Sequence, residues 1–267
     1  MKTANDKASL GYKESRSALD IRIQAHRNYS SFSLEEWINR SLPLKPGDVV
    51  MDIGCGNGNL FPSYEKKLGS TGVIVGMDQS EDLLQKAASR EGASPKVLLR
   101  WDMNENLPFI DASFDMVISS FAIYYVDDVK RIVNQIKRLL KDGGSVFLIG
   151  PTDRNAAELY DFNKKIFGFG RDEKINRRTN RLEMEFLPAL EEILGAVKSE
   201  IIPSKLVFPN REEFVRYYLA TLLYEESAAK AAYAPDAEKL ASIDMPAWEI
   251  SKEMIVLCST KQKTKEK

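Results

Sequence analysis

The chain has 267 residues, 43% of them apolar and 29% charged, and a net charge of −1, a balance that supports a buried core and is unlike that of disordered chains. A charge this close to zero excludes a chain-wide pull on phosphate backbones or anionic lipid, so a nucleic-acid contact would need a local patch. No apolar run reaches the length of a bilayer span, Met1–Lys7 lacks the apolar core of a secretory leader, and Cys55 and Cys258 read as reduced thiols, which points to the cytoplasm.

Residues 1–29 are polar, with scattered Tyr12, Leu19, Ile21, Ile23 and Tyr29, and read as an arm before the domain. A short helix is expected over about residues 34–42, closed by Pro43 and Pro46. An alternating rhythm follows. Val49-Val50-Met51-Asp52-Ile53 is an apolar strand running into glycines, and Leu60, Phe61, Tyr64 and Leu68 follow at helical spacing up to Gly69. Residues 72–78 form a second strand ending in Asp78, with Ser80 as N-cap and Glu81 and Asp82 in the first turn of the next helix. Residues 96–102 are a third strand ending in Asp102, and residues 114–120 a fourth. A helix over about 128–141 shows Ile132, Val133, Ile136, Leu139 and Leu140 on one face and stops at Gly143-Gly144 before a fifth strand, Val146–Ile149. Strands this apolar, alternating with amphipathic helices, imply a doubly wound, mostly parallel α/β sheet.

Beyond Pro151 the pattern loosens. Residues 151–180 read as polar and glycine-containing, residues 182–194 as a helix, and residues 201–208 as a sixth strand made edge-like or bulged by Pro203. Phe214 to Leu223 mark an amphipathic helix begun by Asn210, Met254–Cys258 is the last strand, and residues 261–267 a disordered tail. The expected division is an arm and helix acting as a lid (1–45), an α/β cofactor core (46–151), cap helices with the sixth strand (152–248), the final strand (249–260) and the tail. Substrate specificity is expected in the loose region.

Gly54, Gly56 and Gly58 alternate at a strand-to-helix turn, where a backbone without Cβ atoms turns sharply and approaches a ligand closely. A dinucleotide fingerprint places its third glycine one residue later, and Asp52, two residues before the first, would repel a pyrophosphate while suiting a ligand with an ammonium and a sulfonium. Asp78 suits the two hydroxyls of a ribose. Asp102 suits an exocyclic adenine amine, with the backbone amide of Met103 at the ring edge. Three acids at successive strand ends face one crevice.

With these residues, Val50 to Gly58, Asp78, Asp102-Met103, Leu107-Pro108-Phe109 and Phe114 to Ser120, the chain resembles the class I S-adenosylmethionine-dependent methyltransferases, in particular the small-molecule group of ubiquinone and natural-product enzymes. The resemblance covers roughly residues 45–150 and implies a seven-stranded sheet with the last strand antiparallel. It implies that Asp52, Gly54, Cys55, Gly56, Asn57 and Gly58 hold the methionine part of S-adenosyl-L-methionine, Asp78 the ribose, and Asp102 with Met103 the adenine, with Gln79 and Ser119 completing the set. Residues 209–248 depart from the family as an insertion before the last strand.

Methyl transfer is an in-line displacement that draws mainly on positioning in a dry pocket. The catalytic candidates are Tyr124, beside Tyr125 after the fourth strand, and His26, the single histidine, for which an exposed or arm-packing place is the favoured reading. No metal is called for. No Asn/Asp-Pro-Pro-Tyr/Phe follows the fourth strand, and neither cysteine is placed for pyrimidine chemistry. Arg171, Lys174, Arg177, Arg178 and Arg181 read either as a solvated face or as a clamp for a substrate carboxylate or phosphate. Tyr217, Tyr218 and Tyr224 with Phe214 read as core or as the roof of a pocket, and Tyr12, Arg22 and Tyr29 as a lid over the cofactor. The leading expectation is methylation of N or O on a small molecule, without membrane or nucleic-acid partners. A tRNA or protein methyltransferase using the basic stretch, and a non-catalytic cofactor-binding subunit, stand as alternatives.

Overall fold

The computed structural model describes residues 16–263. Its centre is a seven-stranded sheet built from β1 (Val49–Ile53), β2 (Val73–Asp78), β3 (Lys96–Arg100), β4 (Phe114–Ser120), β5 (Leu140–Pro151), β6 (Val197–Ile202) and the last strand, β9 (Met254–Thr260). The order is β3-β2-β1-β4-β5-β9-β6. The five strands from β3 to β5 run parallel, whereas β9 lies antiparallel between β5 and β6. The order reverses between β1 and β4, which opens a crevice at the carboxyl ends of the parallel strands.

Both faces of the sheet are covered. Helix α5 (Val129–Leu139) begins at Asp128, whose side chain accepts the Arg131 amide, and buries Val129, Ile132, Val133, Ile136 and Leu139. These join Met51, Ile53, Val117 and Leu148 in one apolar layer. On the other face, α2 (Leu34–Ser41), α3 (Phe61–Leu68) and α4 (Glu81–Ala88) pack Trp37, Ile38, Phe61, Tyr64 and Leu84 against Val50, Ile74 and Ile118. Each side chain so buried contributes about 1.5–3 kcal/mol, and that continuous burial is why the strands read as unbroken apolar runs.

Several expectations are corrected. The segment 201–208 is not one strand. Ile202 ends β6 in the main sheet, Pro203 interrupts the ladder, and Lys205–Val207 (β7) pairs with β8 (Glu249–Ser251) in a separate two-stranded sheet. The fifth strand begins at Leu140 rather than Val146, with a register shift in its pairing to β4 beside Gly143-Gly144, so α5 is shorter than expected. The third strand stops at Arg100, two residues before Asp102. Residues 151–180 form α6 (Ala157–Phe167) and α7 (Glu173–Arg181), and α7 runs through a π-helical turn at Leu182–Phe186 into α8 (Leu187–Leu194). The helix begun by Asn210 breaks into α9 (Arg211–Leu219) and α10 (Leu222–Ala231), because Thr221 caps the second. Helix α11 (Ala237–Ser242) follows. The arm is helical, as α1 (Arg16–Tyr29).

These additions share an aromatic core of their own. Phe162 of α6 meets Phe214 and Tyr218 of α9 edge-on, each at 5.0 Å between centroids, and the Tyr218 hydroxyl donates to Asn163 at 2.7 Å. Ala25 of α1 and Ile250 of β8 complete this layer, which places the arm and the cap beside the crevice. Tyr12 and residues 264–267 lie outside the described residues.

Candidate functional site

The turn after β1 is built on glycine where glycine is needed. At Gly54 φ is +76°, and a Cβ there would sit 2.2 Å from the Cβ of Ala122. Its amide donates to the Met77 carbonyl at 2.7 Å, holding the loop against the end of β2. Asp78 then organises the turn. One carboxylate oxygen accepts the Gly56 amide and the other the Ser80 amide, both at 2.9 Å. Ser80 caps α4 as its sequence suggested. Burial raises Asp78 above the ordinary carboxylate range, opposed by these amides.

Asp52 is 2% exposed and accepts a hydrogen bond from the Tyr64 hydroxyl at 3.1 Å. Burial pushes it up to about 7; the Tyr64 hydrogen bond lowers it, and the charge of Asp78 raises it further. A buried carboxylate with no cation beside it among the described residues suits a positively charged ligand. Asp102 is exposed and accepts the Asn104 amide at 2.8 Å in an Asx turn, which points its loop across the crevice although the strand has ended.

Asp52, Gly54, Cys55, Gly56, Asp78, Gln79, Asp102 and Met103 line one cavity of about 940 Å³. Trp101 and Leu83 add apolar faces beside Asp102. Three expected residues lie outside this wall. Ser119 is fully buried, its hydroxyl donating to the Ile53 carbonyl at 2.7 Å, so it ties β4 to β1 rather than touching a ligand. Gly58 packs on Phe61, and Asn57 turns its amide towards Asp20 of α1 at 3.0 Å. Asp20 also pairs with Lys86, so α1 is pinned to the glycine loop.

The far side of the cavity belongs to the additions. Tyr124 and Tyr125, 4.7 Å apart between ring centroids, enter it from the segment after β4. Leu19, Arg22, Ile23 and His26 enter from α1, and Asn155, Tyr160, Arg178, Glu226 and Lys252 from the cap and the β8–β9 turn. His26 is therefore no mere arm residue; burial, then Lys252 and Arg22, push it down to about 3. Of the expected roof, Tyr217 lines the cavity, while Phe214 and Tyr218 are core.

The basic stretch is not one solvated face. Arg181 is 1% exposed and donates to the carbonyls of Tyr124 at 2.9 Å, of Val126, and of Asp127 at 3.2 Å, and to Glu185 at 3.0 Å. It brackets the loop that carries Tyr124. Arg177 pairs with Glu185 at the surface, Arg171 lies over the Tyr160 ring, and Arg178 reaches the cavity. The side chain of Lys174 lies outside the described residues. Sequence reasoning passed over Asn155, Tyr160 and Glu226. The helical spacing of Leu159, Phe162 and Ile166 was the signal that places Tyr160.

Asp52, Asp78, Asp102 and Met103 thus line one cavity, beside a turn that admits no Cβ at Gly54. Residues 51–148 match the family described as Methyltransferase domain. A 2-phytyl-1,4-naphtoquinone methyltransferase of Synechococcus elongatus is 32% identical over 108 residues, 39% of this chain and 46% of the relative. A demethylmenaquinone methyltransferase of Lactobacillus johnsonii is 30% identical over 113 residues, 41% of this chain and 46% of the relative. The matches thus span about half the length of these curated relatives. A SAM dependent methyltransferase from Aquifex aeolicus shares the fold, with TM-score 0.51 and 15% identity, over 70% of this chain and 90% of that one. Residues 51–148 are therefore similar to a methyltransferase domain, on a fold shared with a solved SAM dependent methyltransferase.

Proposed function

We propose that the chain transfers a methyl group from S-adenosylmethionine to nitrogen or oxygen of a small, ring-bearing acceptor. The observation that carries this reading is that the three strand-tip acids and the wall of Tyr124, Tyr125 and Tyr160 share one cavity of about 940 Å³. That is near the upper end of ligand pockets, roughly 300–1,000 Å³, so it accommodates two molecules end to end. The relatives named for naphtoquinone and menaquinone substrates favour a flat acceptor, and Tyr124, Tyr125 and Tyr160 offer the faces to hold one.

The bound cofactor supplies a methyl group on a positively charged sulfur. The residues do the rest by positioning. Ionised Asp52 faces the cation, Asp78 accepts from the ribose hydroxyls, and Asp102 fixes the adenine. Helix α1 lays Leu19 and Ile23 along the cavity and keeps water from the reacting atoms. Tyr124 orients the acceptor. His26, neutral at physiological pH, is too weak a base to strip an ordinary hydroxyl and serves as a hydrogen-bond acceptor. The burial of Arg178 and Arg181 removes the support for a basic nucleic-acid face. The free thiols Cys55 and Cys258 favour a cytoplasmic setting. Among the described residues no helix is long and apolar enough to cross a membrane.

Incubation with methyl-labelled cofactor and a cell extract tests the proposal. Label in a low-molecular-weight product is the expected result; label confined to RNA or protein, or none at all, refutes it.

A further inference from the structure

The acceptor side of the cavity holds positive charge that the fold leaves largely uncommitted. Arg178 of α7 is 7% exposed and lines the cavity. A guanidinium offers five N–H donors. Among the described residues its hydrogen bond is from Nη1 to Glu226 Oε1, a single contact at 3.3 Å, with the Tyr160 hydroxyl alongside. Arg181, one turn on, is the internal contrast: its donors are taken by three backbone carbonyls and Glu185. Arg181 holds the fold together, and Arg178 faces open space.

Its surroundings point the same way. The Tyr125 ring lies 5.9 Å from the guanidinium carbon. Burial opposes the charge of Arg178, but Tyr125, Glu226, Tyr160 and Tyr124 together outweigh it, so the group is held above its ordinary range and stays charged. Lys252 enters the same cavity; Nζ donates to Asn155 Oδ1 at 3.2 Å, with no carboxylate in ion-pair distance among the described residues. A guanidinium engaged in one monodentate hydrogen bond keeps donors for a second acceptor. An incoming carboxylate or phenolate gives it short, charge-assisted bonds in fork geometry. Glu226, whose side chain is 33% exposed, has water to turn to.

We propose that the acceptor carries an anionic oxygen, a carboxylate or a phenolate, on or beside its flat ring, and that Arg178 reads that oxygen between Tyr124, Tyr125 and Tyr160. This rests on the methyl-transfer reading for the word acceptor, but the subsite itself is tested by binding alone. A neutral isostere is discriminated against because it leaves the guanidinium desolvated without its partner.

The test uses protein saturated with S-adenosylhomocysteine and two probe pairs, benzoate against benzamide and para-nitrophenolate against para-nitroanisole, with affinities from ligand-observed NMR. The anionic member of at least one pair is expected to bind on the order of tenfold more tightly than its neutral partner, and the winning pair identifies the source of the oxygen. Arg178→Gln abolishes that preference, Arg178→Lys restores part of it, and both keep wild-type affinity for S-adenosylhomocysteine. Glu226→Gln frees the guanidinium and strengthens anion binding, a readout that stands if Arg178→Gln fails to fold. Equal affinities within both pairs, a preference that survives Arg178→Gln, or an anion affinity lowered by Glu226→Gln overturns the proposal. Failure of S-adenosylhomocysteine itself to bind overturns the methyl-transfer reading instead.

Discussion

Affinity for the sulfonium cofactor is expected to rise with pH across neutrality, because Asp52 must be ionised to face the positive sulfur. Burial holds this carboxyl at about 7, with Tyr64 pulling it down and Asp78 pushing it up. At pH 6 only about a tenth of such groups are ionised and at pH 8 about nine-tenths, so the affinity climbs by about tenfold over that interval and levels off above it. The single histidine, His26, sits near 3 and is neutral throughout, and burial raises both Cys55 and Cys258. Calorimetry with S-adenosylmethionine at both pH values, in buffers of different ionisation heat, reads the affinity and the proton released. In Asp52→Asn the slope should vanish. Equal wild-type affinity at the two pH values, or an unchanged slope in Asp52→Asn, refutes the reasoning. The same carboxyl sets a stability trend in the free protein. The folded chain keeps its Asp52 proton up to about 7 while the unfolded chain loses it near 3.8, so stability present below that lower value is lost as pH rises through about 7. The loss is on the order of 4 kcal/mol, and Asp52→Asn should melt higher than the wild type at pH 8.

Gly54→Ala places a Cβ 2.2 Å from that of Ala122 at a φ of +76°. It should cost about 1–3 kcal/mol of stability and weaken cofactor binding at least tenfold; a Tm and affinity within error of wild type would contradict the loop's role. Arg181→Met leaves three carbonyls without their donor and should lower stability by about 3 kcal/mol or more in urea unfolding; a loss under about 1 kcal/mol would show that the bracket is not needed. Tyr124→Phe should reduce kcat/KM for the true acceptor by about tenfold while leaving cofactor affinity unchanged, and unaltered kinetics would remove this hydroxyl from the site.

The cofactor half was legible in the sequence because each of its constraints is local. Residues 114–120 read as a strand and are one, since a strand buried on both faces is an apolar run with clear ends. The Ser80 cap and the glycine turn read for the same reason: each binds its own neighbours within a few residues. The acceptor half was hidden because its constraints are distant. Helix α7 is almost wholly polar or charged, and only its packing beneath Tyr124 and Tyr160 explains why Arg181 is buried and Arg178 faces the cavity. Helix α1 reads as a polar arm and lid, but the sequence does not reveal the contacts of Asp20, which bonds Asn57 and Lys86 and lays the helix along the crevice. Ser119 failed in the opposite direction: a strand-end position that suits a ligand is used by the neighbouring strand's carbonyl.

The claim on which all of this stands is that Asp52, Asp78 and Asp102 cradle a sulfur nucleoside. Calorimetry of S-adenosylhomocysteine binding to the wild type and to Asp78→Asn tests it most directly. The account predicts saturable binding by the wild type, weakened on the order of tenfold or more in the variant through lost charge-assisted bonds to the ribose. Undetectable binding to a folded wild type, or equal affinity in the two proteins, would contradict it.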